Sequence, residues 1–167
     1  MLAARARRSD TGFAERVLAV PEIRAARTVA AYVSVGTEPD TLAILDALPN
    51  VLLPILRPDH DLDWARYDGS LVAGPHGLLQ PAGPRLGISA VCAAEVIIVP
   101  ALAVDRAGHR LGRGGGSYDR VLARVDAWTV ALIYDDEFLA EVPTEEHDQR
   151  VDAAVTSSRV IRFPRAD

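Results

Sequence analysis

The stretch that most narrows the possible folds runs from Val96 to Val125. Val96-Ile97-Ile98-Val99 is a continuous β-branched run, the pattern of a strand buried on both faces. Gly108 to Arg120 then holds five of the chain's 12 glycines, three arginines and one aspartate. Such a run adds little to a hydrophobic core, because glycine lacks a Cβ and frees its backbone N–H groups to approach a ligand. Successive N–H groups in turns of this kind form an anion-binding concavity, and flanking guanidiniums match phosphate geometry. Tyr118, Val121, Leu122 and Val125 repeat at i, i+3, i+4 and i+7, which predicts an amphipathic helix with Asp119, Arg120 and Arg124 outside the stripe. Strand, glycine loop and helix in this order cup phosphate at a helix N-terminus.

The rest of the chain sets the frame for that unit. Its 167 residues suffice for one domain with a buried core, and 49% hydrophobic with 25% charged residues is a globular composition. A formal net charge of −5 argues against a nucleic-acid binder, whose affinity rests on a basic surface. All 18 basic residues are arginine, so a Walker-type loop and lysine Schiff-base chemistry are both excluded. Cys92 stands alone, which rules out an internal disulfide and points to a reducing compartment, and its alanine and valine neighbours predict that it packs inside. No apolar run is long enough for a bilayer and the N-terminus lacks a signal-peptide core, so a cytoplasmic protein free of membrane is expected.

In chain order, residues 2 to about 27 read as helical, broken at Ser9-Asp10-Thr11-Gly12, with Phe13, Val17 and Leu18 facing inward. Thr28–Val35 reads as a strand, Leu42, Ile44, Leu45 and Leu48 as a helix face, and Val51–Ile55 as a second strand. This is a strand–helix–strand unit and hence a parallel pair. Leu62–Tyr67 alternates as a half-exposed strand does, and Glu95–Val104 is the expected central strand. Trp128–Tyr134, Ala153–Thr156 and Val160–Phe163 complete the strands, with a short helix from Asp135 to Leu139. The expected architecture is α/β: a single three-layer domain over residues 1–167, with a mainly parallel central sheet flanked by helices.

Ligands in parallel sheets bind beyond the C-terminal strand ends. Glu38 follows one such end, where its plainest reading is a solvated loop carboxylate. Trp64 and Tyr67 either line a pocket for a flat ligand or pack in the core. Arg110 and Arg113 flank the glycines and suit a polyphosphate. Asp119, in the first helical turn, can reach a Mg²⁺ that bridges phosphates, or can simply favour the helix dipole. Asp148 or Asp152 can give a second oxygen ligand or remain loop acids. The four histidines, His60, His76, His109 and His147, lack zinc-ligand spacing, and no Gly-x-Ser-x-Gly elbow is present. Residues alone thus reach an α/β protein that binds a nucleotide polyphosphate with Mg²⁺.

Gly108-x-Arg110-Leu111-Gly112-x-Gly114-Gly115-Gly116-x-Tyr118-Asp119-Arg120 resembles the signature of the 5-formyltetrahydrofolate cyclo-ligases. The resemblance extends to Ser34 with Glu38-Pro39-Asp40-Thr41, Leu53-Pro54, Gln80-Pro81, Val99 to Asp105, Pro143, His147-Asp148 and Val151-Asp152. It implies conversion of 5-formyltetrahydrofolate to 5,10-methenyltetrahydrofolate, with ATP as phosphoryl donor and Mg²⁺ as metal. It implies that Arg110, Leu111, Gly112, Arg113, Gly114, Gly115, Gly116, Ser117 and Tyr118 wrap ATP, with Arg113 and Asp119 catalytic. Asp119 and Asp148 would hold the metal. Val33, Glu38, Trp64 and the segment Arg113 to Ser117 would face the folate, in a monomer that binds neither nucleic acid nor membrane. Phosphorylation of the formyl oxygen makes it a leaving group, so alignment and charge neutralisation suffice and no nucleophilic side chain is needed.

Three departures accompany the resemblance. The family's usual N-terminal helix, with a lysine and an arginine on the ATP phosphates, would lie upstream of Leu2-Ala3-Ala4-Arg5, so a shortened start and weaker ATP binding are expected. Ser117 stands where tyrosine is usual, and Gln80 where glutamate is usual. The competing readings are a sugar-phosphate isomerase or CoA-transferase relative, and a non-catalytic nucleotide- or folate-binding protein.

Overall fold

The computed structural model describes residues 12–146 and 148–165. The helix expected over residues 2–11, the upstream arginines and His147 therefore lie outside the described residues. From Gly12 the chain forms two short helices, α1 (Phe13–Leu18) and α2 (Pro21–Ala25). Pro21 starts the second, because a first-turn residue needs no N–H donor and proline presets its φ. Strand β1 (Val29–Ala30), helix α3 (Leu42–Ala47) and strand β2 (Val51–Leu56) follow, and β1 and β2 pair in parallel as the strand–helix–strand pattern predicts. The chain turns back into β3 (Leu62–Arg66), then makes the hairpin β4 (Leu71–Ala73) and β5 (Leu79–Pro81).

The run expected from Glu95 to Val104 divides in two. Its first part is β6 (Val96–Pro100). Past Pro100 the chain leaves the sheet, and β7 (Ala103–Asp105) pairs instead with β8 (Arg110–Leu111). Helix α4 (Ser117–Arg124) and strand β9 (Trp128–Leu132) come next. The short helix expected from Asp135 is one 3-10 turn, Asp135–Glu137, and the chain then extends into β10 (Phe138–Leu139) beside β7. The last strands are β11 (Ala153–Val155) and β12 (Val160–Arg162).

Among the described residues, seven strands form the main sheet in the order β12-β11-β9-β6-β1-β2-β3. The five central strands run parallel; β12 and β3 are antiparallel edges. Alternation then sends successive side chains to opposite faces. Val29, Val96, Ile98, Val130 and Leu132 meet Phe13, Val17, Ile23, Ile44 and Leu45 on one side. Ala30, Ile97, Val99, Ala131 and Ile133 meet Val91, Val121 and Leu122 on the other. Both faces are covered, which is why the central strands are apolar apart from Thr129.

Two expectations about burial are corrected. Strand β3 is not half-exposed: four of its five residues are buried, because the segment Ile88–Ala93 lies over it and the Leu86 N–H donates to the Trp64 carbonyl at its outer edge. Asp63 is tolerated there by accepting the Trp64 and Gly87 N–H groups, both at 2.8 Å. Cys92 is exposed, not packed, because the 3-10 turns of Ile88–Ala93 turn it outward.

Candidate active site

A cleft of about 870 Å³ opens beyond the C-terminal ends of β1, β2 and β6, where crevices in parallel sheets form. Its wall on one side is the glycine loop, with every residue from Arg110 to Asp119 lining it. Val33, Glu38 and Asp148 also line it. Gly116 caps α4 with φ of 73°, in the left-handed region where a Cβ is costly. That turn aims the first residues of the helix at the cleft.

Arg110 comes from β8 and is nearly buried, at 9% exposure. Its Nη1 donates to the Pro100 carbonyl at 3.1 Å, its Nη2 lies 3.7 Å from Asp119 Oδ1, and its guanidinium carbon stands 5.7 Å from the Tyr118 ring centre. Its Nε is buried without a hydrogen-bond partner, as is the Tyr118 hydroxyl. Burial lowers the arginine's pKa, and the charges of Asp119 and Asp148 oppose that shift. Burial likewise pushes the Tyr118 phenol up, against the pull of Arg110. Arg110 and Tyr118 both line the cleft, and a buried guanidinium there fits a polyanionic ligand.

The carboxylates divide by role. Asp119 Oδ1 accepts the Gln149 N–H at 3.5 Å, and Asp148 Oδ2 accepts the Glu145 N–H at 2.7 Å. Both act on Arg110 and both line the cleft. No group of three or more metal-ligating side chains occurs among the described residues. A pair of carboxylates is nonetheless the donor set of a Mg²⁺ that takes its remaining oxygens from phosphate and water. Asp152, the other candidate, is committed elsewhere, to the Thr129 N–H at 2.8 Å and to Arg165.

Glu38 is buried, and its Oε1 accepts the Val35 N–H at 2.7 Å. Its Oε2 lies 3.8 Å from Nη2 of Arg113, whose side chain is half-exposed. The turn that delivers Glu38 is set by Thr41, whose hydroxyl donates to the Tyr32 carbonyl and accepts the Ser34 N–H. Glu38 thus lines the cleft and is not a solvated loop acid.

Trp64 is corrected in the other direction. It is fully buried in the apolar cluster with Val91, Val121 and Leu122, and does not line the cleft. Tyr67 packs toward the opposite cluster and donates to Asp46 at 2.6 Å. Alternation along the edge strand, covered on both faces, sends each aromatic into packing. The apolar wall instead comes from residues that carried no assigned role in the sequence: Pro54, Leu56, Leu62, Leu78 and Leu102, with His60, His76 and Gln80 beside them. The only available signal was position, since Leu53-Pro54 and Pro100-Ala101-Leu102 close strands whose ends face the crevice.

The profile of the 5-formyltetrahydrofolate cyclo-ligase family matches residues 1–157. This chain belongs to that family. A 5-formyltetrahydrofolate cyclo-ligase of Mycolicibacterium smegmatis is 47% identical over 147 residues, covering 81% of this chain and 76% of that protein. The Escherichia coli cyclo-ligase is 31% identical over 158 residues, covering 88% and 87%. Among solved structures, the Aquifex aeolicus 5,10-methenyltetrahydrofolate synthetase superposes with a TM-score of 0.81 at 26% identity, covering 99% of this chain and 90% of that one. Membership in the cyclo-ligase family makes this cleft the candidate active site.

Proposed function

We propose that this cyclo-ligase family member closes 5-formyltetrahydrofolate to 5,10-methenyltetrahydrofolate, converting ATP to ADP and phosphate. The observation that carries the reading is Arg110, a buried guanidinium lining a cleft that Pro54, Leu56, Leu62 and Leu102 also line. The charge suits a triphosphate and the apolar lining an aromatic substrate. On this reading Arg110, Tyr118 and the backbone from Leu111 to Ser117 hold the triphosphate, and Val33 and Glu38 touch the folate. Arg113 reaches Glu38 and is exposed enough to turn toward transferring phosphate. Asp119 and Asp148 would hold Mg²⁺, which supplies charge neutralisation of the phosphates when bound.

The formyl oxygen takes the γ-phosphoryl group, and the bond to the bridging oxygen of ADP breaks. The neighbouring folate nitrogen then attacks the activated carbon and loses its proton, and phosphate leaves with the former formyl oxygen. The protein's part is alignment and charge, worth most in a site shielded from water. The reading also takes the chain as one monomeric, cytoplasmic, three-layer domain around a mainly parallel sheet, supported by apolar clusters on both sheet faces. No helix among the described residues is long and apolar enough to cross a membrane. The test is methenyltetrahydrofolate absorbance from 5-formyltetrahydrofolate, with ATP or Mg²⁺ omitted in turn. Product that needs both is expected; no product in the complete mixture overturns the reading.

A further inference from the structure

The glycine loop is only as well placed as the helix that carries it, and α4 is held along one side by a single turn. Ser117, Arg120 and Arg124 stand at i, i+3 and i+7, so they share a helix face. Ser117 Oγ donates to the His60 carbonyl at 2.5 Å, and Arg120 donates to the Asp59 carbonyl. Arg124 closes the series with a fork on the Asp61 carboxylate at 2.9 and 2.7 Å. Three consecutive residues of the turn between β2 and β3 therefore receive three residues of α4.

That turn is itself rigid. The Arg57 N–H donates to the Asp61 carbonyl and the His60 N–H to the Arg57 carbonyl, both at 3.0 Å. The Asp59 carboxylate accepts the Asp61 N–H and pairs with Arg57. His60 and Leu62, on either side of Asp61, line the apolar side of the cleft, while α4 begins at its phosphate side. The Arg124–Asp61 fork thus joins the two walls. It lies roughly 10 Å from Ser117 along the helix, at 1.5 Å of rise per residue, and neither of its residues lines the cleft.

We propose that Asp61 and Arg124 are positioning residues for nucleotide binding. Their fork fixes α4 against the β2–β3 turn and so sets where the segment Gly114–Ser117 meets a triphosphate. The inference rests on the proposed function for the identity of the nucleotide, so its test reads binding directly as well as turnover. Titration calorimetry of Mg-ATP with the full chain is compared among wild type, Asp61→Asn, Arg124→Gln and the double variant. The expected result is a Kd for ATP raised on the order of tenfold in each single variant, as couplings through a packed element allow. The double variant should be no worse, because both changes break one fork. Arg124→Lys, which keeps the charge without the fork, should recover part of the affinity. The KM for 5-formyltetrahydrofolate should rise by less, because Val33 and Glu38 lie on the chain after β1 and not on α4. A variant that merely lost folded molecules would lower Vmax and binding stoichiometry while leaving both constants unchanged.

Unchanged ATP affinity in folded variants overturns the proposal, as does an equal rise for both ligands. If Asp61→Asn does not fold, Arg124→Lys carries the same test: wild-type affinity there is equally fatal. A wild-type chain that binds ATP but makes no methenyl product defeats the proposed function and leaves the fork readable by calorimetry. One that binds no ATP defeats both.

Discussion

Arg110→Met separates stability from function at this site. A guanidinium at 9% exposure has given up most of its water, and in return receives one hydrogen bond to the Pro100 carbonyl and a 3.7 Å approach to Asp119. Charged hydrogen bonds of this kind contribute about 1.5–3 kcal/mol, and the burial that lowers the arginine's pKa works against that gain. Removing one partner of a fully buried pair is strongly destabilising, but Asp119 is partly exposed and water can take over its carboxylate, so most of that penalty is absent here. The expected change in unfolding free energy is therefore within about 1 kcal/mol, a shift in Tm of at most about 2–4 °C for a chain of this size. Nucleotide binding should behave differently. Losing a charge-assisted contact to phosphate, with the Nε left no role, should cost about 2–4 kcal/mol, or roughly 30- to 1,000-fold in ATP affinity. Calorimetric unfolding and Mg-ATP titration on the same preparations measure both quantities. A loss of more than about 3 kcal/mol in stability, or retention of wild-type ATP affinity, would refute the argument.

Three further predictions follow from the same contacts. Asp119→Asn should fold normally, since its carboxylate is partly exposed and accepts only a long bond from Gln149, yet turnover should fall roughly 100-fold or more with a raised Mg²⁺ requirement; a wild-type rate at ordinary Mg²⁺ defeats the metal assignment. Gly116→Ala adds a Cβ that meets nothing within 4 Å, so its cost is the left-handed backbone alone, about 1–2 kcal/mol, readable as a lower denaturant midpoint with unchanged slope. The Arg124 fork holds the Asp61 carboxyl at about 2 against an ordinary 3.8. A lowered folded-state pKa stabilises above the unfolded value and is lost as pH falls through the folded one, so between about pH 4 and pH 2 wild type should lose about 1–2 kcal/mol that Asp61→Asn does not; parallel acid-unfolding curves for the two proteins would contradict this.

How far the sequence reached follows from the range of the forces involved. The glycine turn and the helix after it were legible because their signals are local: glycine spacing, flanking arginines and the helical stripe all lie within one stretch. The parallel pairing of β1 with β2 was legible for the same reason, since strand, turn and helix signals came in order. Trp64 was misjudged because an alternating strand reads as half-exposed until something covers its second face, and the cover, Ile88–Ala93, carries no pattern that points to β3. Cys92 failed similarly, because its apolar neighbours say nothing of which way a 3-10 turn points it. From its neighbours alone Glu38 reads as a solvated acid; its burial comes with the Val35 N–H and with Arg113, 75 positions away in sequence but 3.8 Å away in space. Spacing left Asp148 and Asp152 open and only the resemblance preferred Asp148; that Asp152 is taken up by the Thr129 N–H is a contact no spacing announces.

The first glycine of the long motif carries a consequence for the order of assembly. A Cβ on Gly108 would stand 2.9 Å from the Val151 carbonyl and 3.1 Å from the Phe163 ring. The Gly108 carbonyl also accepts the Val151 N–H at 2.8 Å, and the Phe163 N–H closes onto the Asp152 carbonyl at the same distance. The segment leading into the glycine loop is thus clamped by chain that emerges more than forty residues later. During synthesis from the N-terminus, the parallel centre of the sheet can pair while the loop still lacks its seat. The glycine loop is thus a late product of folding, seated only once the chain from Val151 onward has docked.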